Sequence, residues 1–212
     1  MGANLTTKVA VIIITNPSSK TKVLGDVPDI FQENGLEVLV EAFILFKKKP
    51  GGEGVKLIIT GGSTGDDHVF LKGIKKKISE AGIMEDVIFH KDFENEGRHE
   101  FFSKVSLISV PVLEGEAFGM YLLEALASGV PVVQPALGAF PEIVDLSEGG
   151  VIYEPNKPKE LAKALEDLHE NTEKLSSLSK KARDGIIQHF SIHDQASRMM
   201  KFYKQIKINK EN

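Results

Sequence analysis

The sequence predicts an α/β fold: a three-layer αβα sandwich around a mostly parallel sheet of about six strands. Three observations carry this. Short β-branched runs alternate with amphipathic helical segments along the chain. The first run, Val9–Ile14, is continuously apolar, as a strand buried on both faces should be. Glycine-rich or long loops follow the strand ends, the edge at which open α/β sheets bind ligands.

The totals bound the rest. The chain has 212 residues, 42% of them hydrophobic, enough to bury a core. Its 26 basic and 30 acidic residues leave a net charge of −4, so no basic excess points to nucleic acid. There is no cysteine, which excludes disulfides, thiolate–metal sites and a thiol nucleophile. No apolar run reaches the ~18–20 residues of a membrane span. Residues 1–6 read as a disordered leader.

Taken in order, strand Val9–Ile14 leads into a long loop, Thr15–Asn34, that holds Lys20 and Lys22. At roughly twenty residues, this loop is longer than most and is expected to be functional, mobile or inserted. Leu36–Lys48 is an amphipathic helix with Leu36, Leu39, Val40, Phe43 and Leu45–Phe46 as its apolar stripe. Leu57–Thr60 is the second strand. Gly61–Asp67 after it is either a tight turn with an Asp or Thr helix cap or a phosphate cradle, although P-loop and dinucleotide spacings are both absent. Val69–Ala81 is helical, with Lys75–Lys77 expected on a solvated face. Val87–Phe89, Val105–Pro111, Pro131–Val133 and Gly150–Tyr153 supply four more strands. Helices are expected at Glu94–Lys104, Phe140–Asp145, Pro158–His169, Glu173–His189 and Asp194–Ile206. The six histidines show no metal-ligand spacing and are expected at the surface or in caps.

The most informative stretch is Glu114–Glu142, EGEAFGMYLLEALASGVPVVQPALGAFPE. Glu116 lies in the loop after the fourth strand, and Gly119 permits a tight entry into the helix that carries Glu124. Helical Cβ atoms tilt toward the N-terminus, so Glu124 leans back toward the Glu116 loop. The N–H groups around Phe118, Gly119 and Met120 face the same space. Two carboxylates can accept hydrogen bonds from sugar or ribose hydroxyls, and the N–H groups with the helix dipole can hold a diphosphate. The same spacing also fits one exposed helical glutamate and one dipole-stabilised glutamate. The apolar neighbours of Glu124 favour a site, because a carboxylate on a buried helix is costly unless it is paired.

Glu116-Ala-Phe-Gly119, Leu123–Val133, Gly138 and Pro141–Val144 together resemble the C-terminal domain of family-four (group 1) retaining glycosyltransferases of the GT-B fold. The likeness extends to Gly35–Phe43 and to Phe190-Ser191. It implies one Rossmann-like half of a two-domain enzyme, the half that binds a nucleoside-diphosphate sugar, with residues 7–190 as the nucleotide-sugar-binding domain. Residues 191–208 would be the crossing helix and 209–212 a tail. By this resemblance Glu116 serves catalysis by holding the transferred sugar, and Glu124 binds the ribose hydroxyls. Phe118, Gly119, Met120 and Gly138 belong to the donor site, and Phe89–Lys91 flanks the base. No metal or other cofactor is expected. The family's basic grip on the diphosphate is replaced by Asn16 and Asn34, with Lys20 and Lys22 as the expected substitutes. Ala117 stands where the family has glycine. The expected partners are the nucleotide sugar, an N-terminal acceptor-binding domain and a second copy through the C-terminal helix. The expected location is cytoplasmic, with peripheral membrane contact through the acceptor half. Two other readings are a non-catalytic interaction module on the same scaffold, and a generic nucleotide-binding domain using Gly61–Gly65.

Overall fold

A computed structural model describes residues 11–12, 34–60, 68–90, 101–103, 105–114 and 116–210. Its strands are β1 (Val11–Ile12), β2 (Leu57–Thr60), β3 (Val87–His90), β4 (Leu107–Ile108), β5 (Val132–Pro135) and β6 (Gly150–Tyr153). They form one six-stranded sheet in the order β3-β2-β1-β4-β5-β6. The pairs β2–β3, β4–β5 and β5–β6 are parallel. The helices are α1 (Leu36–Lys47), α2 (His68–Glu80), α3 (Met120–Ala127), α4 (Phe140–Ser147), α5 (Pro158–Glu170), α6 (Thr172–His189) and α7 (Ile192–Lys210). α1 packs on α2 and α5, while α6 packs on α3 and α4, so helices cover both faces of the sheet. The predicted three-layer α/β class is the observed one.

Three differences from the sequence reading have physical causes. β1 runs antiparallel to both neighbours, with Val11 opposite Ile58 and Ile108. A Val-Ile pair satisfies its backbone in either sense, so an apolar run specifies burial and not direction. The β4 ladder covers Leu107–Ile108 rather than Val105–Pro111. Beyond it the Val110 N–H donates to the buried side-chain Oε1 of Gln134 at 3.0 Å, and the Val112 N–H turns back to the Val110 carbonyl at 2.8 Å. α7 begins at Ile192 and reaches Lys210, so it absorbs two residues assigned to the tail. The remainder of Val9–Ile14, most of the Thr15–Asn34 loop, Gly61–Asp67, Lys91, most of Glu94–Lys104 and the leader lie outside the described residues.

The core joins both layers. Phe43, Phe46, Leu57, Ile59, Ile78, Phe101 and Phe140 are fully buried or nearly so. Leu45, placed in the stripe of α1, is instead 39% exposed, because it falls one position off the Leu36–Leu39–Phe43–Phe46 spacing. His169 is half-buried rather than superficial. Its ring meets Phe46 edge-on, with centroids 5.5 Å apart and planes at 85°.

The lysine run on α2 does more than face solvent. Lys77 pairs with Glu37 at 2.7 Å and with Glu41, tying α2 to α1. Burial opposes the charge of Lys77, but the two carboxylates outweigh it and hold its pKa above the usual lysine value. Lys75 Nζ lies 4.9 Å from the ring centre of Phe89.

Asp86, just before β3, receives Lys47 at 2.9 Å and Lys56 at 3.1 Å. Burial alone would raise its carboxyl pKa, yet the two lysines hold it below the ordinary value. A depressed folded-state pKa stabilises the fold above the unfolded value, and that contribution disappears as pH falls through the folded one. The Lys47 side chain is 9% exposed, so it has little access to water as a substitute partner. We expect Asp86→Asn to cost about 1–3 kcal/mol at neutral pH. The gap from the parent should narrow as pH drops below about 4, as read from urea denaturation across that range.

Candidate functional site

Three helix N-termini meet at the carboxyl edge of the sheet, and the backbone explains why they can approach. Gly35, Gly119 and Ala139 precede α1, α3 and α4, and none of the three supplies a side-chain cap. The first-turn N–H groups of a helix have no intrahelical acceptor and carry its positive pole. Gly35 has φ 73°, and a Cβ there would sit 1.9 Å from the Pro111 carbonyl oxygen. The start of α1 is therefore pressed against the segment that leaves β4. Gly138 has φ 54°, and its Cβ would lie 2.2 Å from the Glu116 carbonyl oxygen and 2.6 Å from its nitrogen. That same Glu116 carbonyl accepts the Ala139 N–H at 3.0 Å. The start of α4 thus grips the backbone of Glu116.

This contact brings several predicted residues together. The Phe118 N–H donates to Glu116 Oε1 at 3.4 Å, so two groups assigned to different parts of a ligand hold each other here. A Cβ on Gly119, whose φ is 68°, would be 3.2 Å from Glu116 Cγ. Met120 opens α3 and is 51% exposed, and Phe118 is 44% exposed, so this entrance is open to solvent. Glu124 follows one turn into α3 and is half-buried, flanked by buried Leu122, Leu123, Ala125 and Leu126. Ala127, counted among its apolar neighbours, is exposed. Asn34 adjoins Gly35 at the start of α1. Lys20 and Lys22 lie outside the described residues. Phe89, expected beside a base, is half-buried under Lys75.

Two features escaped the sequence reading. The segment from residue 105 to 156 contains seven carboxylates and no lysine, arginine or histidine. It builds β4, α3, β5, α4 and β6, so it brings no basic side chain of its own to the starts of α3 and α4. That signal is visible in the sequence as a charge count. The second is a strap. Tyr153, at the end of β6, donates its hydroxyl to Asn156 Oδ1 at 2.9 Å. Asn156 Nδ2 donates in turn to the carbonyls of Pro111 at 3.2 Å and Val112 at 2.8 Å. Burial pushes the Tyr153 hydroxyl pKa well above its ordinary value, so it remains a donor at any physiological pH. The strap spans more than forty residues, and no local motif announces it.

Comparison with known proteins gives this edge its context. The profile of the family described as "Glycosyl transferases group 1" matches residues 12–185. A D-inositol 3-phosphate glycosyltransferase of Streptomyces griseus subsp. griseus is 32% identical over 107 residues, covering 50% of this chain. The chain spans only 22% of that relative's length. The crystal structure of the C-terminal domain of a group 1 family protein, LpcC, from Francisella tularensis superimposes with TM-score 0.70 at 24% identity. That overlap covers 81% of this chain and 85% of the other. Anabaena HepE in complex with UDP superimposes with TM-score 0.75 at 20% identity, over 90% of this chain and 54% of HepE. The span of the profile match and the shared architecture place this chain in the group 1 glycosyltransferases, as a domain with the fold of a GT-B C-terminal half.

Proposed function

We propose that this chain is the donor-binding half of a glycosyltransferase that moves a sugar from a nucleoside diphosphate with retention of configuration. The observation that carries this is the grip of α4 on Glu116 beside the uncapped start of α3, with Glu124 one turn further on. In this reading Glu116 holds hydroxyls of the transferred sugar near the reacting carbon. Glu124 accepts hydrogen bonds from the ribose. The N–H groups of Phe118, Gly119 and Met120 receive the phosphates, with Gly138 leaving room for the approach. Positive charge on these oxygens stabilises the leaving group as the glycosidic bond breaks. Lys20 and Lys22 supply it, since Asn34 brings none. Anabaena HepE, which shares the fold, is known in complex with UDP, and this supports a nucleoside diphosphate as the ligand class. The acceptor would bind a second half, so we expect the domain alone to bind donor without transferring sugar.

Thermal unfolding with UDP, GDP or ADP tests the reading. One of the three at about a hundred times its Kd should stabilise the domain by about 2.7 kcal/mol. Glu124→Ala should abolish the shift while leaving the fold intact. The absence of a shift with all three would overturn the donor site.

A second reading has its own observation. On α7, Met199, Met200, Phe202 and Tyr203 are each more than half exposed. An apolar face of this kind suits a protein partner or a second copy of the chain. It fits a non-catalytic interaction module if no nucleotide binds.

A further inference from the structure

We propose that Asn156 is the positioning residue for Glu116, fixing from the β6–α5 connection the segment that leads to it. The proposal rests on the donor-site reading and adds a part to it. Two carbonyl oxygens cannot donate, so the amide nitrogen of Asn156 must face Pro111 and Val112. Its oxygen then accepts from the buried Tyr153 hydroxyl. Asparagine alone among the common side chains of this size offers two donors and an acceptor in that arrangement.

The strap completes a two-point mount. Glu116 itself is held by Gly138 and by the Ala139 N–H. Val110 is tied to Gln134 and the Val112 side chain is buried, but Leu113 and Glu114 are exposed, so among the described residues the last anchor before Glu116 falls at Pro111 and Val112. Asn156 supplies the anchor at Pro111 and Val112. The Pro111 carbonyl that it binds is the one pressed against Gly35, so the strap also sets how closely α1 approaches. A carboxylate used to orient a sugar has to be held to a fraction of an ångström, which a single-point mount does not provide.

The test combines hydrogen exchange with nucleotide affinity, in Asn156→Asp, Asn156→Ala and Tyr153→Phe. Asn156→Asp keeps the shape and the acceptor for Tyr153 but sets a carboxylate against two carbonyls. It should speed exchange between Val112 and Phe118 as much as Asn156→Ala does, with α5 and α6 unchanged. UDP-glucose, GDP-mannose or ADP-glucose, whichever the parent binds, should weaken by roughly tenfold in both, the loss expected when an ordinary hydrogen bond no longer orients the sugar, while the sugar-free diphosphate changes less. Tyr153→Phe, which leaves both donors in place, should show a smaller change in each readout. Exchange in Asn156→Asp equal to the parent would overturn the proposal, as would faster exchange with unchanged affinity. If the parent binds none of the three nucleotides, the donor-site reading falls, and the exchange rates alone decide whether the strap holds the segment.

Discussion

Gly138→Ala is expected to lower the unfolding free energy by about 2–5 kcal/mol and to remove nucleotide binding. Two costs add. At φ 54° an L-residue is strained by about 1–2 kcal/mol. The new methyl would also enter space held by the Glu116 backbone, with atoms at 2.2, 2.6 and 3.0 Å. Those are main-chain atoms, which cannot rotate aside as a side-chain tip would. Either Glu116 moves outward and loses the Ala139 N–H, or α4 shifts from the core that buries Phe140. Gly82→Ala isolates the first cost. Gly82 has φ 71° and nothing within 4 Å of its would-be Cβ. Urea denaturation of both variants should show a loss of about 1 kcal/mol at Gly82 and the larger loss at Gly138. Equal losses would mean that Glu116 is not gripped as described.

Replacing Lys20 and Lys22 together with alanine is expected to weaken UDP binding by at least roughly a hundredfold. A diphosphate brought to the starts of α3 and α4 meets Glu116 and Glu124 and, from residues 105–156, no basic side chain, a repulsion that helix poles only partly offset. In the proposed donor site the cations come from another segment, and Lys20 and Lys22 stand between β1 and α1 in the sequence. A hydrogen bond to a charged group contributes about 1.5–3 kcal/mol, so the loss of two exceeds a factor of 100 in affinity. Calorimetric titration with UDP at low and high salt measures it. The parent should weaken as salt rises, and the double variant should be nearly insensitive. Unchanged affinity would remove Lys20 and Lys22 from the site without touching the role of Glu124.

The sequence made the architecture legible because burial and period say the same thing. α1, α5 and the strands β2 and β6 sit where the apolar runs place them, within a residue or two. What it left hidden depends on long-range partners. The direction of β1 follows from pairing, and an apolar Val-Ile run is silent on it. β4 stops early because a glutamine on another strand takes its next N–H. At the candidate site, the closeness of Glu116, Phe118 and Gly119 was legible through a long local motif. The strap was not, because Tyr153 reads as the end of a strand and no local pattern ties Asn156 to Pro111 and Val112, 45 and 44 residues earlier. Lys77 was misread for the same reason: its partners Glu37 and Glu41 lie forty and thirty-six residues away.

α7 shows no buried side chain between Ile192 and Ile206, and this bears on its helix–coil equilibrium. Most helices in a folded domain borrow their stability from packing, and one that packs little must rely on its own propensity. Its 19 residues exceed the ~12–15 below which even Ala-rich helices are marginal, but with one alanine and three β-branched isoleucines its own propensity is modest. The Arg198–Asp194 pair at 2.7 Å adds only a few tenths of a kcal/mol. The far end of α7 should therefore fray on its own, at temperatures where the sheet is still intact. Whatever covers Met199, Phe202 and Tyr203 would draw that equilibrium toward helix, so the order of α7 becomes a gauge of whether its face is occupied.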